Sequence, residues 1–134
     1  MVMPLIQRLT EEFNYPIASP DSMPDLLSQP GCLVLFFPGN LEKFPESGDV
    51  AVILPELVAA FPGQLNPAVV QAEYEEELRA RYPFDRWPGL VFLRSGVQIG
   101  TISKVRSWAV YLETITSFLN EQSDTDDAIP LVHI

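Results

Sequence analysis

Hydrophobic and polar positions along this chain change their period several times, and each change marks a predicted element. The run from Cys32 to Phe37 is apolar throughout and lies between Pro30-Gly31 and Pro38, so it predicts a short strand covered on both faces. Apolar stripes at three- and four-residue spacing predict helices instead. The predicted strands are 15–18, 32–37, 67–72, 90–94 and 97–103. The predicted helices are 4–13, a segment from the cap signal at 19–21 through 28, 50–60, 73–82 and 107–120.

The last two strands predict a β-hairpin. Leu90–Arg94 and Val97–Ser103 are joined by Ser95-Gly96, a two-residue sequence that suits a tight antiparallel turn. Upstream, strand–helix–strand units require parallel neighbours. The element order therefore predicts an α/β fold, a three-layer sandwich with a mixed sheet and helices on both faces. One domain is expected over residues 1–120, followed by an acidic, flexible tail over 121–134.

Composition and charge narrow the classes of function. The chain has 134 residues, of which 47% are hydrophobic and 19% charged, and its formal net charge is −10. This charge disfavours nucleic acid and anionic membrane surfaces and favours a basic protein segment as partner. No apolar stretch approaches the length of a bilayer span, and residues 1–10 lack the pattern of a secretory signal. We expect a cytoplasmic protein.

The chain has one cysteine, Cys32, and one histidine, His133, so it predicts neither a disulfide framework nor a Cys/His metal site. We expect no metal and no cofactor. Cys32 lies in an apolar strand, where a thiol behaves as a small hydrophobe. No nucleophile with a nearby general base is visible, so an enzyme is not predicted.

The segment from Arg81 to Gly96 resembles the thioredoxin pattern of helix end, loop, X-Pro, apolar strand and glycine turn. Pro88 matches the proline that this fold holds in the cis form. By the same resemblance, the strand ending at Phe37 delivers the active-site loop, but the chain runs Pro38-Gly39-Asn40 where redox members carry Cys-X-X-Cys. Thiol–disulfide exchange needs two thiols there, so the sequence predicts a thioredoxin-like protein without redox activity.

Among non-redox thioredoxin-like proteins, the chain is most similar to the HyaE/HupG type of NiFe hydrogenase expression proteins. The matching features are the N-terminal helix Pro4–Phe13, the acidic loop Pro38–Asp49 and the pair Phe61-Pro62. The resemblance implies a cytoplasmic maturation chaperone. Its partner would be the hydrogenase small-subunit precursor, bound through the twin-arginine signal peptide before export. Other hydrogenase maturation proteins are further candidate partners.

Between Glu42 and Glu77 there are eight acids against one base, Lys43, and paired arginines are natural counterparts of such a surface. We expect the acids in or next to the loop and a neighbouring apolar groove to bind the partner. The acids are Glu42, Glu46, Asp49 and Glu56. The groove residues are Phe44, Trp87 and Pro88.

Several alternatives stay open at this point. The loop acids could form only a solvated surface, with Asp49 capping a helix. The acids Glu73 and Glu75–Glu77 are read as favourable partners of a helix dipole, and Trp108 as a core residue. The basic bias of residues 79–106 could pair with a second copy, which leaves a homodimer open. The alternative function is a thioredoxin-fold scaffold in an unrelated complex.

Overall fold

The apolar run that the sequence marks as a buried strand lies at the centre of the sheet. The computed structural model describes residues 4–40, 42–121 and 132–133; there the run forms strand β2 with the predicted limits, and all six side chains are buried. The strands are β1 (Ile17–Ala18), β2 (Cys32–Phe37), β3 (Leu65–Val70), β4 (Gly89–Arg94), β5 (Val97–Ser103) and β6 (Val132–His133). The helices are α1 (Pro4–Glu11), α2 (Met23–Leu27), α3 (Ser47–Ala60), α4 (Glu75–Arg81) and α5 (Trp108–Glu121), with a 3-10 turn at Ala72–Tyr74. None of the helices described is both long and apolar enough to cross a membrane.

The six strands form one mixed sheet in the order β1-β3-β2-β4-β5-β6. β3 runs parallel to both β1 and β2, as the strand–helix–strand order requires. β4 is antiparallel to β2, and β5 is antiparallel to β4 through the hairpin at Ser95-Gly96. The predicted mixed sheet is confirmed.

Helices cover both faces of the sheet, because alternate residues of β2 point to opposite sides. Cys32, Val34 and Phe36 belong to a core built with α1, α3 and α5. Leu33, Leu35 and Phe37 belong to a second core built with α2 and α4. The α/β sandwich of three layers predicted from the sequence is therefore correct.

Pro67 lies in the middle of β3 and not at its first position as predicted. Backbone N–H groups of alternate residues point to the same neighbour, and those of Val69 and Gln71 donate to Pro16 and Ala18 on the β1 side. The nitrogen of Pro67 faces that same side. The two-residue strand β1 pairs only with Val69 and Val70, so it does not extend as far along β3 as Pro67. A proline is tolerated there because no ladder hydrogen bond is lost.

Two helix starts also differ from the predictions. α3 begins at Ser47, and Glu46 occupies the N-cap position, so Asp49 lies inside the first turn and does not cap the helix. Trp108 is the first residue of α5 and is 45% exposed, so its assignment to the core was wrong. The end of a helix has fewer covering neighbours than its middle, where Tyr111 and Ile115 are fully buried.

Two residues of the segment predicted as a tail belong to the sheet. Val132 and His133 form β6, which pairs in parallel with Gly100 and Thr101 of β5. The prediction of a flexible tail is therefore wrong for these two residues. Residues 122–131 lie outside the described part of the chain, and the prediction for them stays a prediction.

Gly100 supplies a test of how closely α5 packs on β5. A Cβ atom at this position would clash with the ring of Phe118, which is buried. We expect Gly100→Ala to lower the free energy of unfolding by about 1–3 kcal/mol, the usual effect of overpacking a core. Urea denaturation measures it. The control is Gly96→Asn, which lies in open space at a left-handed turn. Phe118→Leu should partly restore the stability of Gly100→Ala. Equal stability of Gly100→Ala and the wild type would contradict the packing described.

Candidate functional site

Strand direction brings three segments together at one edge of the sheet. β2 and β3 are parallel, so the segments that follow them, Pro38–Asn40 and Ala72–Glu75, lie side by side. β4 is antiparallel to β2 and pairs Gly89 with Phe37, so Trp87-Pro88 reaches the same edge. This is the edge where the thioredoxin resemblance places the active site.

Glu75 links these three segments. Its carboxylate accepts hydrogen bonds from the Gly39 backbone N–H at 3.0 and 3.2 Å and from the Trp87 indole N–H at 2.6 Å. The side chain sits in the first turn of α4, and the residue is only 6% exposed. A buried carboxylate is unfavourable without such donors, so the contacts fix both the loop and the indole.

The protonation of Glu75 is sensitive to its surroundings. Burial raises the pKa of this carboxyl to about 6, and the neighbouring charge of Glu76 also raises it, while the hydrogen bonds from Trp87 and Gly39 oppose the shift. A glutamate with the ordinary pKa of 4.5 is almost fully ionised at this pH. Glu75 is therefore a carboxyl group whose charge changes near pH 6.

The indole of Trp87 is held on several sides. The Phe44 ring stacks at 6.0 Å between centroids, and the Phe84 ring contacts it edge-on at 5.3 Å. The guanidinium of Arg79 lies 4.2 Å from the centre of the Trp87 ring and donates to the backbone carbonyls of Phe84 and Asp85. Trp87 thus has a fixed orientation with its N–H aimed at Glu75.

The backbone conformation and close packing at position 39 require a glycine. Its φ is +74°, a left-handed conformation that favours glycine, and an added Cβ would lie 2.6 Å from the Trp87 ring. The neighbouring Pro38 carbonyl accepts a hydrogen bond from the Ser47 hydroxyl, which ties the loop to α3. The Asn40 side-chain oxygen accepts from the backbone N–H groups of Glu42 and Lys43 and closes a turn. These contacts fix the conformation of the Pro38–Asn40 segment, which forms a ridge at this edge of the sheet.

Two cavities adjoin on either side of this ridge. The larger has a volume of about 650 Å³ and lies among α1, the ends of β1 and β3, and the ridge. The smaller has a volume of about 410 Å³ and contains the Phe44 and Trp87 rings together with Lys43 and Glu76. Four residues line both cavities: Gly39, Asn40, Ala72 and Glu75. The buried carboxylate is thus part of the boundary between them.

Three of the seven residues predicted to bind a partner line these cavities. Glu42 lies at the larger cavity, and Phe44 and Trp87 lie in the smaller one. Pro88 is buried directly behind Trp87, the Trp87–Pro88 peptide bond is cis, and the Pro88 carbonyl accepts from the Lys104 N–H. Phe44 and Trp87 therefore line one cavity together, whereas Pro88 lines neither cavity.

The other three predicted acids lie apart from the cavities. Glu46 is the partly buried N-cap residue of α3, and neither cavity includes it in its lining. Asp49 is exposed in the first turn of α3, and its charge adds to the effect of burial in raising the pKa of Tyr111. Glu56 lies beside Arg8 of α1, in a separate cleft between α1 and α3.

Cys32 lies far from this edge. It pairs with Arg94 at the opposite end of β2, whereas Phe37 and Gly89 pair next to Trp87-Pro88. Its side chain is fully buried, and burial raises the pKa of the thiol to about 12. The thiol remains protonated at neutral pH and behaves as the buried hydrophobe that the sequence predicts.

Sequence reasoning missed Glu75, Gly39 and Asn40. The helix-dipole interpretation of the four acids is incomplete for Glu75, because that carboxylate is buried and holds two other segments. Two signals could have found it. The predicted parallel pairing of β2 and β3 places the start of α4 beside the loop after β2, and Glu75 precedes the core residue Leu78 by three positions, so it shares that residue's buried helical face.

Fold and site together define a thioredoxin-like protein whose active-site edge carries a carboxylate, an indole and a glycine loop in place of a cysteine pair. The sequence model of one family, Hydrogenase-1 expression protein HyaE, matches residues 5–111. This chain belongs to that family.

Individual relatives agree with this assignment. The chain is 44% identical over 132 residues to the hydrogenase expression/formation protein HoxO of Azotobacter vinelandii, covering 98% of this chain and 88% of the relative. It is 36% identical over 120 residues to HupG of Rhizobium leguminosarum bv. viciae, covering 87% and 80% of the two chains. The crystal structure of the hydrogenase expression/formation protein HupG from Rhodopseudomonas palustris superposes with a TM-score of 0.59 at 36% identity, covering 82% of this chain and 99% of that one.

Removing the Glu75 carboxylate should loosen the site. We expect Glu75→Ala to lower the free energy of unfolding by about 1–3 kcal/mol, because two partly buried N–H groups lose their acceptor. In a Trp108→Phe background, where Trp87 is the remaining tryptophan, its emission should shift to longer wavelength. Glu76→Ala, at the exposed neighbouring position, is the control. Identical spectra and stabilities for the two alanine variants would contradict the role given to Glu75.

The raised pKa of Glu75 also predicts a pH dependence of stability. The folded chain holds this proton up to about pH 6, whereas the ordinary glutamate value is 4.5. The stabilisation from this group is therefore complete below about pH 4.5 and is lost as the pH rises through about 6. Relative to Glu75→Gln, the wild type should lose stability over that interval, as measured by urea denaturation at several pH values. Parallel pH curves for the two proteins would contradict a raised pKa.

Proposed function

We propose that this protein is a non-catalytic accessory protein that binds the precursor of the hydrogenase small subunit through its twin-arginine signal peptide before export. The binding would take place in the cytoplasm, where a precursor still carries its signal peptide. Support comes from membership of the HyaE family and from relatives named for hydrogenase expression and formation. The observation that carries the proposal is the acidic and aromatic cavity beside Glu75.

The charge at the two cavities suits a cationic segment. Glu42 and Glu76 are exposed at the larger and the smaller cavity respectively. Within the described residues, ion pairs join Arg8 to Glu12 and Arg81 to Glu77, and neither pair uses these two acids. Of the described residues that line the two cavities, Lys43 is the one base. A basic partner would therefore meet two exposed carboxylates, Glu42 and Glu76, for which the described part of the chain shows no ion pair.

The smaller cavity has the chemistry that recognises arginine. A guanidinium group is planar, stacks on aromatic rings and donates paired hydrogen bonds to a carboxylate. Phe44 and Trp87 supply rings in that cavity, and Glu75 and Glu76 supply carboxylates. A carboxylate has more acceptor positions than Glu75 uses for Gly39 and Trp87, so a further donor has a place to bind.

Binding of a cation and ionisation of Glu75 support each other. A positive charge nearby favours the charged carboxylate, which burial alone disfavours. The partner would bind the ionised protein more tightly than the protonated one. The affinity for a basic segment should then rise between about pH 5 and pH 7.

The alternative function, a scaffold in an unrelated complex, is not favoured by these relatives, which are named for hydrogenase expression and formation. Binding to other hydrogenase maturation proteins and formation of a homodimer stay predictions from the sequence. The proposed absence of catalysis agrees with the names of the relatives and with the burial of the single thiol.

Charge removal at the cavities tests the proposal. The probe is a synthetic peptide with the arginine pair and the following apolar stretch of a hydrogenase small-subunit signal peptide, and its affinity is measured by calorimetry. We expect Glu42→Gln with Glu76→Gln to weaken binding about tenfold, or roughly 1.4 kcal/mol.

The matched control is Glu11→Gln with Glu113→Gln, which removes the same charge from exposed positions on α1 and α5. Replacing both peptide arginines by citrulline, which keeps the side-chain shape and removes the charge, should abolish the difference between the two double variants. Equal affinities of the two double variants for the parent peptide would overturn the proposal.

A further inference from the structure

The larger cavity contains an apolar surface that the described residues leave open. α1 contributes Ile6 on one side, and the sheet contributes Ile17 and Val69 on the other. Ile17 is 50% exposed although it lies in a strand. Exposed apolar area is unfavourable in water, and a concave apolar site of about 650 Å³ is within the usual size range of ligand sites.

The shape of the site favours an extended chain over a compact ligand. The two cavities lie on either side of the ridge of Gly39 and Asn40 and share the carboxylate of Glu75, so together they offer two adjacent binding positions of different chemistry. One position is apolar, and the other holds rings, Glu76 and Lys43. An extended polypeptide places successive side chains in separate positions, which a single compact molecule does not do.

The charged residues that line the larger cavity determine which charge its occupant can carry. Glu42 and Glu75 are the charged residues of its lining, and both are acids. A segment with an anionic flank would meet repulsion there, whereas a segment with a cation beside its apolar side chain would be attracted at both positions. Charge complementarity therefore selects a basic segment that also carries bulky apolar residues.

We propose that the cavity between α1 and the ends of β1 and β3 binds a bulky apolar side chain of an extended partner segment, whose neighbouring cationic residue lies across the Gly39–Asn40 ridge beside Glu75. This deepens the proposed function and rests on it for the identity of the segment. It also gives α1 a role, because Ile6, Gln7 and Thr10 of that helix form one wall of the cavity.

A variant that fills the cavity tests the inference. Thr10 lines the cavity, and Glu11 is the next residue of α1 and is exposed outside it. Thr10→Trp should therefore occupy the site, and Glu11→Trp places the same side chain on the same helix without occupying it. Circular dichroism and urea denaturation first establish that both variants are folded.

The first probe is N-acetyl-phenylalanine amide, titrated at millimolar concentration and followed by methyl NMR. It should shift the methyl signals of Ile6, Ile17 and Val69 in the wild type and in Glu11→Trp, and leave them unchanged in Thr10→Trp. The absence of these shifts in the wild type, or equal shifts in both tryptophan variants, would overturn the apolar site. This conclusion would hold whether or not the signal peptide binds.

The second probe is the signal peptide used above, with each bulky apolar residue replaced in turn by alanine. One replacement should weaken binding to the wild type about tenfold or more, and the same replacement should have little effect on Thr10→Trp. Full and equal sensitivity in Thr10→Trp would overturn the inference. Amide-induced shifts together with no binding of the signal peptide would retain the apolar site and refute the proposed partner.

Discussion

One buried carboxylate holds together three segments that are distant in sequence. Glu75 begins α4, Gly39 follows β2, and Trp87 precedes β4, and the two hydrogen-bond donors converge on the same side chain. A carboxylate stays buried only where donors compensate for lost water, and the donors in turn need their acceptor. The shape of both cavities therefore depends on this one set of contacts.

The edge of the sheet that serves sulfur chemistry in redox thioredoxins carries different chemistry here. The segment after β2 presents a glycine and an asparagine, and the sulfur of Cys32 lies at the far end of the strand, buried beside Arg94. What persists is geometry: parallel strands end at this edge, and the cis Trp87–Pro88 bond starts the next strand there. A binding edge needs only that geometry, because contacts with a partner use rings, amides and carboxylates as readily as thiols.

Local patterns predicted the fold well, and long-range contacts account for the differences. Cys32–Phe37 and the hairpin at Ser95-Gly96 are set by neighbouring residues, so their limits were predicted correctly or within one residue. The place of Pro67 depends on how far β1 extends along β3, which no local pattern contains. Likewise, Trp108 fits the apolar stripe of α5, but whether it is covered depends on what lies beyond the end of that helix.

The candidate site also could not be predicted from local patterns alone. Glu75 and Glu76 are adjacent and chemically identical, yet one is buried and the other exposed, because a helix turns by about 100° per residue and only one position faces the core with Leu78. Charge counting treats the two alike, and it gave Glu46 and Glu56 the same weight as Glu42. The position of each residue around the helix axis is what distinguishes Glu75 from Glu76. Since Glu75 lines both cavities, a partner that filled both would meet the same carboxylate from two sides, which neither the charge of the loop nor its apolar pattern indicates.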